Sequence, residues 1–536
     1  MQHGIISAPQ PEAVEAGALV LRDGGNAIDA AVACALVQGV VDPLMCGLGG
    51  VGTAVVHPAG GEPECFNFQG AAPAAAHENL WSDRIEGETA DGFGFILRER
   101  VNALGHQAVM VPGSLAGYWA MHRAHGSRPW AELCRAAIDI AREGWVVRPH
   151  VYTYATQDEG AAGRVHNSDI LGFTEEGRDL YLSAAGTMHR PGRLIRNPAL
   201  AASLEAVARD GADALYRGAL GRRLCEDMAE RGGLITSQDL EAYAVAHSPA
   251  VRGRYRDMDL ATNRPGGSGL QVLLALNILE RFDLGDHAPG TARTWALLAE
   301  ALTHAYDLKR REVGDPLFVD VPMERLLDKG FAAALARRIR DGEKAELNRL
   351  PQSVESKGTT QVSVYDAAGN AVSMTHTLGA PSGVIAPGTG FMLNGCMGIF
   401  DPRPGRPTSI APGKSYTSSM SPTIGYRDGA PCLVIGAPGA TYIPQAVTQA
   451  IVNHVDFGMS IAEAIAAPRI AVTQSRRIDL SNRIPRFVEA ELQALGYATH
   501  RSYLSYAFAG VHGISIAPDR IEGAADPGRD GMALTV

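Results

Sequence analysis

Apolar and polar positions alternate at period two in QVSVY, from Gln361, and in AVSMTHTL, from Ala371, on either side of Asp366-Ala-Ala-Gly-Asn370. Two alternating runs joined by turn chemistry predict a β-hairpin. A loop of Ala367 to Gly369 sets Thr359 across from Thr377, and a glycine bulge would slip that register by one. Directly opposed residues on one face have Cβ atoms about 4.5–5.5 Å apart. Two threonine hydroxyls are therefore expected together at the open end of the hairpin.

Elsewhere the spacing changes to the helical period. Helices are predicted over 11–22, closed by Gly24-Gly25, and over 27–40. Further helical segments fall at 130–143, 198–209 and 291–311. Beyond Thr359 strands dominate, with helices over 443–457 and 461–467. Gly47-Leu-Gly-Gly-Val-Gly52 has the look of a dinucleotide-binding glycine loop. It leads into TAVVHP, a strand, where that motif needs the start of a helix. A close-packed backbone turn is the better reading. Asp526-Pro-Gly-Arg-Asp530 is read as a structural turn.

Composition narrows the function classes. The 536 residues are 46% hydrophobic and 20% charged, as in a globular protein with a large core. A net charge of −10 argues against a nucleic-acid partner, which would want a basic face. No apolar run reaches the roughly 18 residues that span a bilayer, so no membrane partner is expected. The sequence opens with no signal-peptide pattern, and seven cysteines fit free thiols in a reducing compartment. Cytoplasmic residence is the expectation, unless a leader has been lost upstream. No histidine or cysteine spacing looks like a metal site.

The chemistry gathers at Gly358-Thr359. A threonine hydroxyl is a weak nucleophile without a base beside it. A threonine at the start of a chain solves this, because its own α-amine takes the proton. A free α-amine titrates near 7.7–8.0, so part of it is neutral at neutral pH. Thr359 is internal, so the Gly358–Thr359 bond has to break first. Glycine before the threonine permits unusual backbone angles and leaves its carbonyl open to the hydroxyl. The bland alternative is an ordinary strand start, where threonine is common.

The stretch from Gly358 resembles the start of the small subunit in the gamma-glutamyltranspeptidase family, self-cleaving N-terminal-nucleophile hydrolases. Ordered blocks carry the resemblance along nearly the whole chain: Gly24 to Ala33, Gly47 to Gly52, Val111-Pro-Gly113, Leu234 to Leu240, Gly314-Asp315-Pro316, Ser418 to Thr423, Gly436 to Ala440 and Ala524 to Gly531. The resemblance implies an α+β fold, the four-layer αββα sandwich of N-terminal-nucleophile hydrolases. A large segment, 1–358, and a small catalytic segment, 359–536, would build one core and stay together as a heterodimer, with a dimer of heterodimers as a further assembly. Thr359 would be the nucleophile in autocleavage and in turnover, and Thr377 would orient it. Thr360 would be structural. Gly439 and Ala440 would supply the oxyanion-hole N–H groups, at no cost only if φ at Ala440 is negative. No metal, nucleotide or organic cofactor is implied.

This sequence departs from the family where an α-amino acid head group would be held. Gln69 stands where an arginine in R-E-T-A-P pairs with the α-carboxylate. Gly398 and Ile399 replace both aspartates of L-N-N-x-M-D-D-F, and Gly379 replaces an asparagine. An ammonium desolvated beside Ile399 without a carboxylate would lose several kcal/mol. The serine pair Ser418 and Ser419, which helps hold a carboxylate, is kept. Arg98, Arg100 and Lys414 are candidate replacement cations, with plain surface charge as the alternative. His376 either contacts substrate or points away from the site, and Cys396 is expected to be a buried structural thiol.

The expected function is an autoprocessing amidohydrolase acting on a small amide through an acyl-threonine ester. Its acyl group would lack a free α-amine, as in an oxamate-like or other carboxylate amide. Hydrolysis is expected before transfer to an amine. Two alternatives stay open, a genuine gamma-glutamyl hydrolase or transferase and a non-catalytic scaffold of the same fold.

Overall fold

In the computed structural model, which describes residues 3–89, 95–157, 160, 163–286, 288–347 and 358–536, the hairpin lies in the middle of a seven-stranded antiparallel sheet. In chain order its strands are β1 (Gly4–Pro9), β2 (Val51–His57), β3 (Glu64–Phe68), β4 (Ala246–Pro249), β7 (Thr360–Asp366), β8 (Ala371–Thr377) and β13 (Gly531–Thr535). Their spatial order is β13-β1-β7-β8-β2-β3-β4. A second, six-stranded antiparallel sheet contains β5 (Val251–Tyr255), β6 (Met258–Thr262), β9 (Thr423–Arg427), β10 (Ala430–Gly436), β11 (His512–Ala517) and β12 (Arg520–Ala525), ordered β12-β11-β10-β9-β6-β5.

The layers follow from period two along each strand. Ile5, Val55, Ala371, Ile424, Val434 and Ile514 point between the sheets and pack with Ala261. Their neighbours Ile6, Val56 and Val372 face the other way, onto α1 (Pro11–Arg22) and α2 (Ala27–Val41). On the far side, Leu433 and Ile435 face α4 (Gly269–Leu279), α5 (Ala292–Glu312) and α6 (Ile443–Val455). Sheets buried on both faces explain why α2 and α4 are apolar all round: each lies between a sheet and further chain. The result is helix, sheet, sheet, helix, the sandwich expected from the sequence.

Strands from before and after Gly358 interleave in both sheets. β7, β8 and β13 sit among β1 to β4, and β5 and β6 complete the second sheet. Severing the chain at Gly358 would thus divide two shared sheets and separate no domain. The helices expected at 11–22, 130–143 and 198–209 are present as Pro11–Arg22, Trp130–Glu143 and Pro198–Asp210. Gly47 to Gly52 makes a turn, closed by Gly50 N–H on the Gly47 carbonyl, that enters β2. Among the described residues no helix is long and apolar enough to cross a membrane.

Candidate active site

The hairpin closes without a slip in register. Thr360 opposes His376, Gln361 opposes Thr375, and the pairing runs to Tyr365 opposite Ala371. One step further out, Thr359 and Thr377 meet, their hydroxyl oxygens 3.2 Å apart. Thr377 Oγ1 accepts the Gly379 N–H at 2.8 Å and donates to the Gly358 carbonyl at 2.8 Å. Thr359 Oγ1 is in hydrogen-bond contact with that same carbonyl. The nucleophile candidate and its candidate orienting partner thus converge on the carbonyl oxygen of the Gly358–Thr359 peptide bond.

Alternation puts the next residues on the opposite face. Thr360 Oγ1 accepts from Gln38 Nε2 at 2.9 Å and contacts Gln10 Oε1 at 3.2 Å, both beneath the sheet. His376 takes the Tyr118 hydroxyl on Nδ1 at 2.6 Å and contacts Gln38 Oε1 through Nε2 at 2.8 Å. Burial pushes its pKa down to about 3, so the ring is neutral. Of the two options for His376, substrate contact is thereby corrected: it is a core residue that ties β8 to α2.

Thr359 and Thr377 open onto a cleft of about 1140 Å³ of empty space, its mouth included. Gly358, Gly379, Ile399, Ser418, Ser419 and Ala440 line it with them. So do Arg100, Asn102, Tyr154 and Arg164, of which only Arg100 was signalled by sequence. Their segments carry no motif, and the fold alone brings them to the hairpin. Tyr154 lies on α3 (Pro149–Ala155), and its hydroxyl accepts the Gly358 N–H at 2.7 Å. Burial raises the Tyr154 pKa, so the phenol keeps its proton.

The three candidate cations separate. Arg100 lines the cleft, holds the Gly163 carbonyl at 2.6 Å through Nη1, and has a φ of 56°. Arg98 lies at the surface against Asp83, away from the cleft. Lys414 bonds the Ser409 carbonyl at 2.9 Å and does not line the cleft either. Gln69 is not among the residues that line the cleft either: it is buried, with its amide beside Gly266. Its amide oxygen and nitrogen have no hydrogen-bond partner among the described residues, nor has Ser418 Oγ.

Two of the replaced positions have no room for a larger side chain. Gly379 has a φ of 67°, and a Cβ there would stand 2.6 Å from Cys396 Sγ. A Cβ on Gly398 would stand 2.3 Å from the Asn102 carbonyl oxygen. Cys396 is the buried thiol expected, and its volume fills the space an asparagine side chain would enter.

The oxyanion-loop candidates lie at the start of the turn into α6. Gly439 has φ 142° and Ala440 φ 48°, so alanine sits in the left-handed region. The condition under which that alanine is free of cost is not met, and about 1 kcal/mol of strain is expected. Ala440 lines the cleft, whereas Gly439 does not. On the other side of Thr359, its backbone N–H donates to Met45 Sδ at 3.4 Å. Among the described residues no group of His, Cys, Asp or Glu side chains is arranged to hold a metal ion.

Comparison with known proteins points one way. Residues 13–536 match the family model described as Gamma-glutamyltranspeptidase. The Acylase ACY 1 proenzyme of Pseudomonas sp. (strain SE83) is 36% identical over 540 residues, 99% of this chain and 93% of that protein. The Glutathione hydrolase proenzyme of Escherichia coli (strain K12) is 30% identical over 553 residues, 98% of this chain and 90% of that one. The crystal structure of a cephalosporin acylase from Bacillus halodurans superposes with a TM-score of 0.88 at 26% identity, covering 99% of this chain and 96% of that one.

Proposed function

The chain belongs to the gamma-glutamyltranspeptidase family of N-terminal-nucleophile amidohydrolases and acyltransferases, and from that premise we propose that it is an autoprocessing amidohydrolase of acyl groups without a free α-amine. The observation that carries the reading is the convergence of Thr359 Oγ1 and Thr377 Oγ1 on the Gly358 carbonyl. Thr359 oxygen adds to the Gly358 carbonyl carbon, and the C–N bond to Thr359 breaks. The hydroxyl proton passes to the departing nitrogen, which becomes the α-amine. Water then hydrolyses the ester, leaving a Gly358 carboxylate and a free N-terminal threonine.

In the mature enzyme the α-amine takes the hydroxyl proton as Thr359 attacks a substrate amide. The negative charge on the tetrahedral intermediate is met by the N–H of Ala440, the one of the two loop candidates that lines the cleft, and such a donor typically contributes a few kcal/mol in the transition state. The amine leaves with the proton, and water releases the acyl group. The segments 1–358 and 359–536 remain joined as a heterodimer through their shared sheets. Cytoplasmic residence is proposed with it, on seven cysteines that all stand as free thiols.

For the acyl group, a carboxylate amide is favoured over a gamma-glutamyl amide. Gly379 and Gly398 leave no space for side chains that would hold an α-ammonium, whereas Arg100 and Ser418 face the cleft with groups that suit a carboxylate. The similarity to acylases as well as glutathione hydrolases fits a family that changes its acyl group on a fixed nucleophile. Denaturing electrophoresis with N-terminal sequencing tests the proposal. Two fragments, one beginning at Thr359, and no activity in a Thr359→Ala variant are expected. A single active chain near 56.6 kDa would sink it.

A further inference from the structure

We propose that Tyr154 reads the atom attached to the acyl α-carbon, and that this enzyme takes acyl groups of the N-acylglycyl type, with an unbranched α-carbon bearing a hydrogen-bonding heteroatom. The inference rests on the reading of Thr359 as a self-releasing nucleophile. The ester formed in processing joins the acyl group of Gly358 to the threonine oxygen, which is the bond a substrate forms in turnover. Gly358 is thus the first acyl group the enzyme handles, and its contacts mark the subsites that later acyl groups enter.

Three contacts define that mark. The Gly358 carbonyl is held by Thr377 at 2.8 Å. The Gly358 N–H, attached to the α-carbon, donates to the Tyr154 hydroxyl at 2.7 Å. A branch on the α-carbon would meet the Leu44 and Gly379 carbonyl oxygens at 3.0 Å each and the Tyr154 hydroxyl at 3.4 Å. Two backbone oxygens cannot retreat as a flexible side chain can, so the subsite favours an unbranched carbon. When Gly358 departs, the phenol oxygen loses the N–H it was accepting. Leaving a buried polar group unmatched is costly, so an acyl group that restores the contact is favoured over one that does not. A phenol also donates, so an oxygen at that position is served as well.

The test compares N-succinylglycyl p-nitroanilide with the isostere in which a methylene replaces the glycyl N–H. Cleaved wild-type enzyme is expected to favour the glycyl substrate about tenfold in kcat/KM. Tyr154→Phe is expected to bring the two within about twofold of each other, chiefly by losing rate on the glycyl substrate. A third substrate, N-succinyl-L-alanyl p-nitroanilide, is expected to be turned over about tenfold more slowly than the glycyl one. Equal rates on glycyl and methylene substrates by wild type, or a preference that survives Tyr154→Phe, overturns the assignment. Should the phenylalanine variant stay uncleaved, the wild-type ratios decide. Failure to find any N-terminal Thr359 in wild type overturns instead the reading on which the inference stands.

Discussion

Thr377 Oγ1 stands 2.8 Å from the Gly358 carbonyl oxygen while accepting the Gly379 N–H at 2.8 Å, so its single proton is directed at that carbonyl. A donor aimed at an oxygen that gains charge is worth most in the transition state. Removing one such donor costs about 10²–10³ in rate. Thr377→Val keeps the shape and deletes the hydroxyl, and is expected to slow processing by that order. Thr377→Ser is expected to process within about tenfold of wild type. Gel densitometry of the uncleaved chain over time reads both rates. Equal processing by valine and wild type would remove Thr377 from the mechanism.

The hairpin was legible in the sequence because strand alternation and a three-residue loop favour one register, and the structure shows no glycine bulge slipping it. That register fixes Thr359 beside Thr377 and, by the same alternation, sends Thr360 and His376 to the far face. The cleft wall was legible only in part: Gly379, Ile399, Ser418, Ser419 and Ala440 were marked by the family blocks, and Arg100 as a candidate cation. Asn102, Tyr154 and Arg164 lie on loops and short helices with no period, and long-range packing alone brings them to the cleft beside Thr359. Gln69 shows the opposite failure: its place in the family pattern is clear, but one residue beyond β3 it is buried and does not line the cleft. The φ of Ala440 was likewise invisible, since alanine carries no signature of a left-handed angle.

Arg100 and Arg98, two residues apart, make opposite predictions. Arg100 lines the cleft, and its charge-assisted contact with a substrate carboxylate would contribute about 1.5–3 kcal/mol. Arg100→Leu is expected to raise KM for a carboxylate-bearing amide about 10- to 100-fold while processing proceeds normally. The methyl ester of the same substrate is expected to lose little. Arg98→Leu is expected to leave both unchanged, because its partner Asp83 is at the surface. Steady-state kinetics of the two variants on acid and ester would show a reversed pattern if the carboxylate lies elsewhere.

Restoring the family asparagine is expected to fail. Gly379→Asn forces a side chain into a φ of 67° and toward Cys396 Sγ, 2.6 Å from its Cβ. Asparagine tolerates the left-handed region better than most residues, so the clash is the larger obstacle. Thermal melts should show a loss of about 1–3 kcal/mol, and gamma-glutamyl-p-nitroanilide turnover should not rise. Pairing the change with Cys396→Ala gives the side chain room and is expected to recover stability. Gamma-glutamyl turnover gained by Gly379→Asn alone would show that the pocket adapts in a way the packed cysteine argues against.

Acid should destabilise the protein earlier than its carboxylates alone would suggest. Burial holds His376 and His512 near pKa 3, and His150 and His304 near 4, against an ordinary value of 6.5. The unfolded chain therefore binds protons that the folded chain refuses. The stability these groups contribute is complete above pH 6.5 and is lost as pH falls toward their folded values. Asp42, Glu176 and Asp456 work in the opposite sense: burial raises each, Asp42 from 3.8 to about 6, so each stabilises at low pH and ceases to do so as pH rises through its folded value. Four strongly depressed histidines outweigh these three carboxylates, of which only Asp42 is shifted far, so Tm is expected to fall from pH 7 to pH 4.5. A flat profile would mean that water or charge reaches these rings.

Ala440→Gly separates backbone strain from hydrogen bonding at the oxyanion loop. With φ at 48°, the alanine Cβ presses on its own backbone, a cost of about 1–2 kcal/mol that glycine does not carry. Glycine also gains freedom in the unfolded chain, about 0.5–1 kcal/mol against folding, so the net gain should lie between zero and about 1.5 kcal/mol. The N–H stays where it is, and turnover is expected within about twofold of wild type. Ala440→Pro fixes φ near −65° and removes the N–H together, and is expected to lower kcat by at least 10²-fold. Melting temperature and kcat measured on both variants distinguish the cases. If glycine lowers kcat as far as proline does, the methyl group of Ala440 shapes the acyl site, and the loop contributes more than its donors.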